Sequence, residues 1–124
     1  MNVLIVALDV VPTEVWDAEV LVVAPALNSW LRHWLSDEDT ARRRAEERVT
    51  AYLERLERSG VHAEGRVGDA DPLLAIADAL AMFPADEIVI AADAVPLAEH
   101  LARRTRQRFG VPASRAREPM PVAA

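Results

Sequence analysis

Three short runs constrain this chain more than anything else in it: "VLIVAL" from Val3 to Leu8, "VLVVA" from Val20 to Ala24, and "IVIAA" from Ile88 to Ala92. Each is continuously apolar and rich in β-branched residues. A strand with one face in water alternates between apolar and polar side chains, whereas a strand covered on both faces does not. Such runs require layers of helix above and below a parallel sheet. "VHAEGRV", Val61 to Val67, does alternate, which suits a strand near the sheet edge. "VPASRA" reads as a weak final strand from Val111 to Ala116, and Pro112 restricts it to an edge.

The segments between these runs carry helical patterns. In "SDEDTARRRAEERVTAYLERLERSG" Ser36 is a suitable N-cap, and Asp39 stands where a capping box places its second residue. Asp37, Glu38 and Asp39 favour the positive end of the helix dipole. Ala41, Ala45, Val49, Tyr52, Leu53 and Leu56 form one apolar face. Glu38 with Arg42, Asp39 with Arg43 and Glu54 with Arg58 are spaced for i to i+4 pairs, and Gly60 closes the helix. "DPLLAIADALAMF" is a second helix, capped by Asp71, with Pro72 in its first turn and Leu73, Ile76, Ala77 and Leu80 predicted to face inward. "PLAEHLARRTRQRFG" is a third, with a predicted inner stripe of Leu97, Leu101, Thr105 and Phe109 and an end at Gly110.

One connection is unusually short. Between the first two strands lie the eleven residues "DVVPTEVWDAE", Asp9 to Glu19, and a parallel crossover needs roughly a dozen, usually including a helix. Either the crossover is compressed to about one helical turn around "PTEVW", or the two strands pair differently. The compressed crossover is the expectation, with Trp16 covering sheet surface that a full helix would shield.

Composition excludes several functions. The formal charge is -6, which disfavours general nucleic-acid binding, since that rests on neutralising phosphates. Without cysteine there are no disulfides, thiolate catalysis or cysteine metal sites. "MNVLIVALDVV" is too short to span a bilayer and lacks a basic leader, so it reads as a buried strand of a cytoplasmic protein with no membrane partner. Residues 1–117 are expected to form one domain and 118–124 a flexible tail.

Taken together, "VLIVALD", "VLVVAPALNSWLRHWLSDEDTAR", "GVHAEGRVGDADPLLAIADAL" and "ADEIVIAA" resemble the universal stress protein family, and more narrowly its actinobacterial stress-protein-like domains. The resemblance extends from Asn2 to about Phe109. It implies an open, Rossmann-like α/β fold: a five-stranded parallel sheet in the order 3-2-1-4-5, helices on both faces, and frequent dimerisation through the last strand. Many members bind ATP. In those, an Asp after the first strand meets the adenine, and a G-x2-G-x9-G-[ST] pattern after the fourth strand holds the phosphates. Asp9 occupies the first position. The second pattern is missing, because "AADAVPLAEHLARRTRQ" contains no glycine. Ala91, Ala92, Asp93 and Ala94 bring Cβ atoms where bare backbone would approach a phosphate, and Asp93 adds a repelling charge.

The candidate ligand residues are therefore Asp9 near a base, Val23 and Ala24 lining a pocket, and Ala92 and Asp93 at its rim. Asp9 also reads simply as a polar residue ending a strand. Asp69 and Asp71 have a spacing compatible with Mg²⁺, but a turn and a helix cap account for them better. His33, His62 and His100 share no ligand spacing, and no serine stands in a nucleophile elbow. Trp30 and Trp34 read as core rather than as a base-stacking pair. Arg42, Arg43 and Arg44 are interleaved with acids, whereas Arg103, Arg104, Arg106 and Arg108 are less neutralised and suited to an acidic partner. These features favour a non-enzymatic domain for ligand sensing or protein interaction, without a cofactor and without a metal, its nucleotide site degenerate. The alternative is a protein that binds ATP or AMP through an atypical phosphate loop. A homodimer or another protein is the expected macromolecular partner.

Overall fold

In the computed structural model, residues 1–14, 17–27 and 38–117 are described. Five strands form one sheet: β1 (Asn2–Ala7), β2 (Glu19–Pro25), β3 (Ala63–Gly68), β4 (Glu87–Ala91) and β5 (Ala113–Arg115). Among the described residues three helices are interleaved with them: α1 (Glu38–Arg58), α2 (Pro72–Met82) and α3 (Val95–Phe109). The strand order is β3-β2-β1-β4-β5 and every neighbouring pair is parallel. This is the doubly wound α/β arrangement that the continuous apolar runs demand. Pro112 precedes the three-residue β5, which lies at an edge. Predicted features at Trp16, Trp30, His33, Trp34, Ser36, Asp37 and the 118–124 tail lie outside the described residues.

Strand alternation sorts the core into two layers. Leu4, Val6, Leu21, Val23, Ile88 and Ile90 face α2 and α3. Val3, Ile5, Ala7, Val20, Val22, Ala24, Val89 and Ala91 face the side carrying α1. Val3 through Ala7 are 0% exposed, as befits the central strand. Asn2 secures the start of β1 to the approach to β4. Its amide N–H donates to Asp86 Oδ2 (2.8 Å), and its carbonyl accepts from the Asp86 N–H (2.8 Å).

The short crossover proves compressed, and β1 pairs with β2 from Asn2 opposite Glu19 to Val6 opposite Val23. No helix occurs among its described residues; the expected turn around "PTEVW" includes positions 15 and 16, which lie outside them. Reach explains why no full crossover helix fits. Returning along a six-residue strand means covering about 20 Å. A helix rising ~1.5 Å per residue needs about thirteen residues for that distance, whereas extended chain gains ~3.3 Å per residue. Val10, Val11 and Ala18 pack against the α1-side layer, so extended chain does part of the covering that a helix does elsewhere.

The helix faces differ from expectation in an informative way. On α1, Ala41, Ala45, Val49, Tyr52 and Leu56 are buried as predicted, and Leu53 is half-buried. Arg42 pairs with Glu46 (3.7 Å). On α3 the buried stripe is Ala98, Leu101, Ala102 and Thr105. Leu97, predicted to face inward, is 50% exposed, and Phe109 is half-buried. On α2 it is Ala75, Ile76 and Ala79 that are buried, whereas Leu73, Ala77 and Leu80 are half-buried. Alanine lets a helix backbone approach the sheet closely, so the larger residues beside it turn toward the margin. Gly60 and Gly110 end α1 and α3 with φ of 80° and 68°, the left-handed conformation that glycine adopts without strain.

The closest approach lies between α1 and β3. A Cβ placed on Gly65 would stand 2.3 Å from Val49 Cγ1 and 3.2 Å from Leu53 Cδ1. Valine in a helix keeps essentially one rotamer, so Val49 has no alternative position and the helix itself must retreat. Gly65→Ala is expected to lower stability by about 1–3 kcal/mol, measured as a reduced urea midpoint. An unchanged midpoint would mean that the β3 edge, not α1, yields.

Candidate functional site

In an open α/β sheet, ligands lodge beyond the carboxyl ends of the strands, where the strand order reverses. Here that point lies between β1 and β4. Asp9 follows β1, and residues 92–94 join β4 to α3. The two segments are knitted together. Leu8 and Asp9 both donate their N–H to the Ala91 carbonyl (2.9 and 3.0 Å). In return Asp93 donates its N–H to Asp9 Oδ2 (2.9 Å). The structure thus brings together two of the predicted site residues, Asp9 and Asp93, through the amide that an incoming anion would seek.

The remaining candidates are not assembled with them. Val23 and Ala24 are buried in opposite core layers, against α2 and α3 and on the α1 side respectively. Adjacent strand residues point to opposite faces, so these two cannot line one pocket. Ala92 is half-buried against the α2 and α3 layer, and Asp93 is exposed. Asp69 and Asp71 are both engaged by local backbone. Asp69 Oδ1 accepts from the Asp71 N–H (2.9 Å), and Asp71 Oδ1 accepts from the Leu73 N–H (3.0 Å) and caps α2.

Two residues of α1 complete the site. The Arg48 guanidinium donates from Nε to the Ala7 carbonyl (3.1 Å) and from Nη2 to the Pro25 carbonyl, bridging the carboxyl ends of β1 and β2. Burial pulls its pKa below the ordinary arginine value, and the charge of Asp9 opposes that shift. One turn further on, the Tyr52 hydroxyl donates to the Val11 carbonyl (2.9 Å) and accepts from the Val11 N–H (3.4 Å). Both main-chain polar groups of a crossover residue are satisfied by one side chain. Tyr52 carries the sequence signature of core, and Arg48 is not distinguished by local pattern from the Arg42–Arg44 run. The available signal was spacing. Positions 41, 45, 48 and 52 share a helical stripe, and a charged residue on an apolar stripe implies a buried acceptor.

An open cleft of about 450 Å³ lies to one side of this point, over β2, β3 and the first turns of α1. Ala26, Asp39, Arg42, Gly68 and Asp69 line it. At β1 and β4 the chain's own groups take the polar atoms: a carboxylate on the corner amide and a guanidinium on the strand-end carbonyls. Among the described residues, no group of three or more metal-ligating side chains is assembled, and no helix is long and apolar enough to cross a membrane. No protein-family model matches the chain, and no curated protein matches it either.

Burial pushes the Tyr52 hydroxyl up to about 12; its bond to Val11 and the charge of Arg55 oppose that shift, while Asp9 and Asp93 reinforce it. The folded state thus holds the phenolic proton more tightly than the unfolded chain, whose tyrosine titrates near 10. The stabilisation is complete below pH ~10 and is lost as pH rises toward ~12. The chain has one tyrosine and no lysine or cysteine, so phenolate absorbance reports this group alone. The absorbance midpoint is expected well above that of the urea-unfolded chain, and unfolding free energy should fall by on the order of 2 kcal/mol across that interval. Tyr52→Phe should flatten the decline and cost about 1 kcal/mol at neutral pH.

Proposed function

We propose that this chain is a universal stress protein-like domain of the cytoplasm, acting without enzymatic chemistry as a protein-interaction module in stress response. Its nucleotide site is closed from within. The observation that carries this reading is the Asp93 N–H donated to Asp9 Oδ2 at 2.9 Å. In a nucleotide-binding corner that amide belongs to a phosphate. Here a carboxylate already holds it, and the loop presents side chains where glycines would leave backbone bare. A phosphate arriving at this corner meets two carboxylates, one on Asp9 and one on Asp93. Arg48, whose charge interacts with Asp9, is committed to the Ala7 and Pro25 carbonyls.

A second reading, an ATP- or AMP-binding protein with an atypical loop, draws on the strand order and on Asp9 at the switch point. Calorimetric titration with ATP and Mg²⁺ separates the two. The interaction reading expects neither heat nor a thermal shift at millimolar nucleotide. Asp93→Gly should raise residual affinity, and adding Asp9→Asn should raise it further, by about tenfold in all for the loss of two repelling charges. Saturable micromolar binding by the unaltered chain would reverse the order of the two readings.

A further inference from the structure

The outer edge of β5, with the face of α3 beside it, has the character of a docking surface. The ladder with β4 identifies the groups that point away from the sheet. Ile88 donates to the Pro112 carbonyl (2.8 Å) and Ala116 donates to the Ile90 carbonyl (2.7 Å). In a parallel ladder, alternate residues turn their main-chain groups to the same neighbour. Pro112, Ser114 and Ala116 therefore face β4, and Ala113 and Arg115 face outward. The outward carbonyl of Ala113 accepts from Arg106 Nη1 (2.6 Å). The outward N–H and carbonyl of Arg115 have no strand beside them among the described residues.

Beside this edge runs a groove of about 470 Å³ between α3 and β5. Arg103, Arg106, Arg115 and Arg117 line it, with Glu99 as the one carboxylate and His100 as the imidazole among the described lining residues. Glu99 lies 3.4 Å from Arg115, and Arg103 donates to His100 Nδ1 (3.3 Å). Among the described residues, four arginines face a single carboxylate in this groove of a chain whose formal charge is -6, and Glu14 and Glu87 share an adjoining pocket with Arg115 and Arg117. A local excess against the overall sign calls for an anionic occupant.

We propose that this edge and groove dock an acidic, extended segment of a partner protein, added to the sheet alongside β5 with its carboxylates on the α3 arginines. This rests on the interaction reading given above and names the surface and the partner's chemistry. Main-chain bonds to the free groups of Arg115 would supply affinity, and alternate acidic side chains would supply specificity. Guanidinium and carboxylate form the strongest such charge-assisted bonds.

The same charges disfavour a second copy. Twofold pairing of two β5 edges sets each patch against itself, so Arg115 and its neighbouring arginines would confront their own counterparts. Positive charge on an exposed strand is a recognised guard against self-association. The chain's own terminal sequence "EPMPVAA" is no better matched, having one acid and two prolines that cannot donate to an edge.

The test uses the full chain and a fluorescein-labelled peptide alternating Thr and Glu, followed by anisotropy, with amide shifts recorded by nuclear magnetic resonance. Saturable binding is expected, with shifts centred on Ala113–Arg115 and at least about tenfold weakening at ~0.5 M salt. Arg103 and Arg117 are both exposed, so Arg103→Glu with Arg117→Glu should keep the fold by circular dichroism and abolish binding. The milder Arg103→Ala with Arg117→Ala should weaken it about tenfold. Absence of binding, equal binding of a Thr-Gln peptide, shifts remote from β5, or a stable dimer by sedimentation with β5 buried in it would each overturn the proposal. Failure here removes this docking surface alone, whereas tight ATP binding removes the interaction reading itself.

Discussion

The carboxyl end of β1 sets the terms for the rest of the molecule. As the central strand it has a neighbour on each side and core on both faces, so its last polar groups are cut off from water. An unmet buried carbonyl or amide costs about 1–3 kcal/mol, enough to consume much of the margin of a small domain. Arg48 meets the Ala7 carbonyl, the Ala91 carbonyl takes the N–H groups of Leu8 and Asp9, and Asp93 meets the Asp9 carboxylate. Each partner comes from a different segment. Satisfying this one strand end therefore ties α1, β4 and the β4–α3 corner together, and closes the crevice in doing so.

The absence of a helix in the described part of the β1–β2 crossover belongs to the same account. A helix satisfies its own main chain, whereas an extended crossover needs outside partners. Tyr52 supplies both donor and acceptor to Val11. Because Tyr52 lies one turn beyond Arg48, one face of α1 serves both the crossover and the strand ends. That shared duty explains how a helix with basic and acidic residues over most of its length stays fixed to the sheet. Its polar contacts lie at the carboxyl ends of β1 and β2, while Ala45, Val49 and Leu56 are buried in the layer beneath it.

Much of this was legible in the residues. The three unbroken apolar runs announced strands covered on both faces, the alternation of "VHAEGRV" announced an edge, and Asp71-Pro72 announced a helix start. What escaped reading depended on distances between elements rather than on pattern along one. Helical spacing along α3 predicts Leu97 with Leu101 and Thr105 on the inner stripe, yet Ala98 rather than Leu97 is the buried residue there. Val23 and Ala24 were paired as pocket lining although strand geometry sends them to opposite layers. Arg48 could be placed on a helix face but not aimed at two carbonyls from segments far away in sequence. Long-range polar satisfaction of this kind leaves one faint local trace, a charge where the stripe should be apolar.

Closure at the switch point is electrostatic as well as steric, and α3 shows why. The N-terminus of a helix carries partial positive charge and its C-terminus partial negative charge, each worth about 0.3–1 kcal/mol to a suitable ion. The N-cap of α3, Ala94, offers no side-chain bond, and no acid lies in the first turn. The Asp9 carboxylate, held on the Asp93 amide just before that N-cap, places negative charge near the helix start. Arg106 and Arg108 occupy the last turn and complement the opposite end. The helix is thus provided with counter-charges by the chain itself. A phosphate at its N-terminus would gain little from the dipole while facing a carboxylate, a repulsion of about 1–4 kcal/mol for unit charges 4 Å apart between bulk water and a protein surface. Restoring glycines to the corner would remove the steric obstacle and leave Asp9 in place. An anion already stands at this corner, and it is covalently part of the protein.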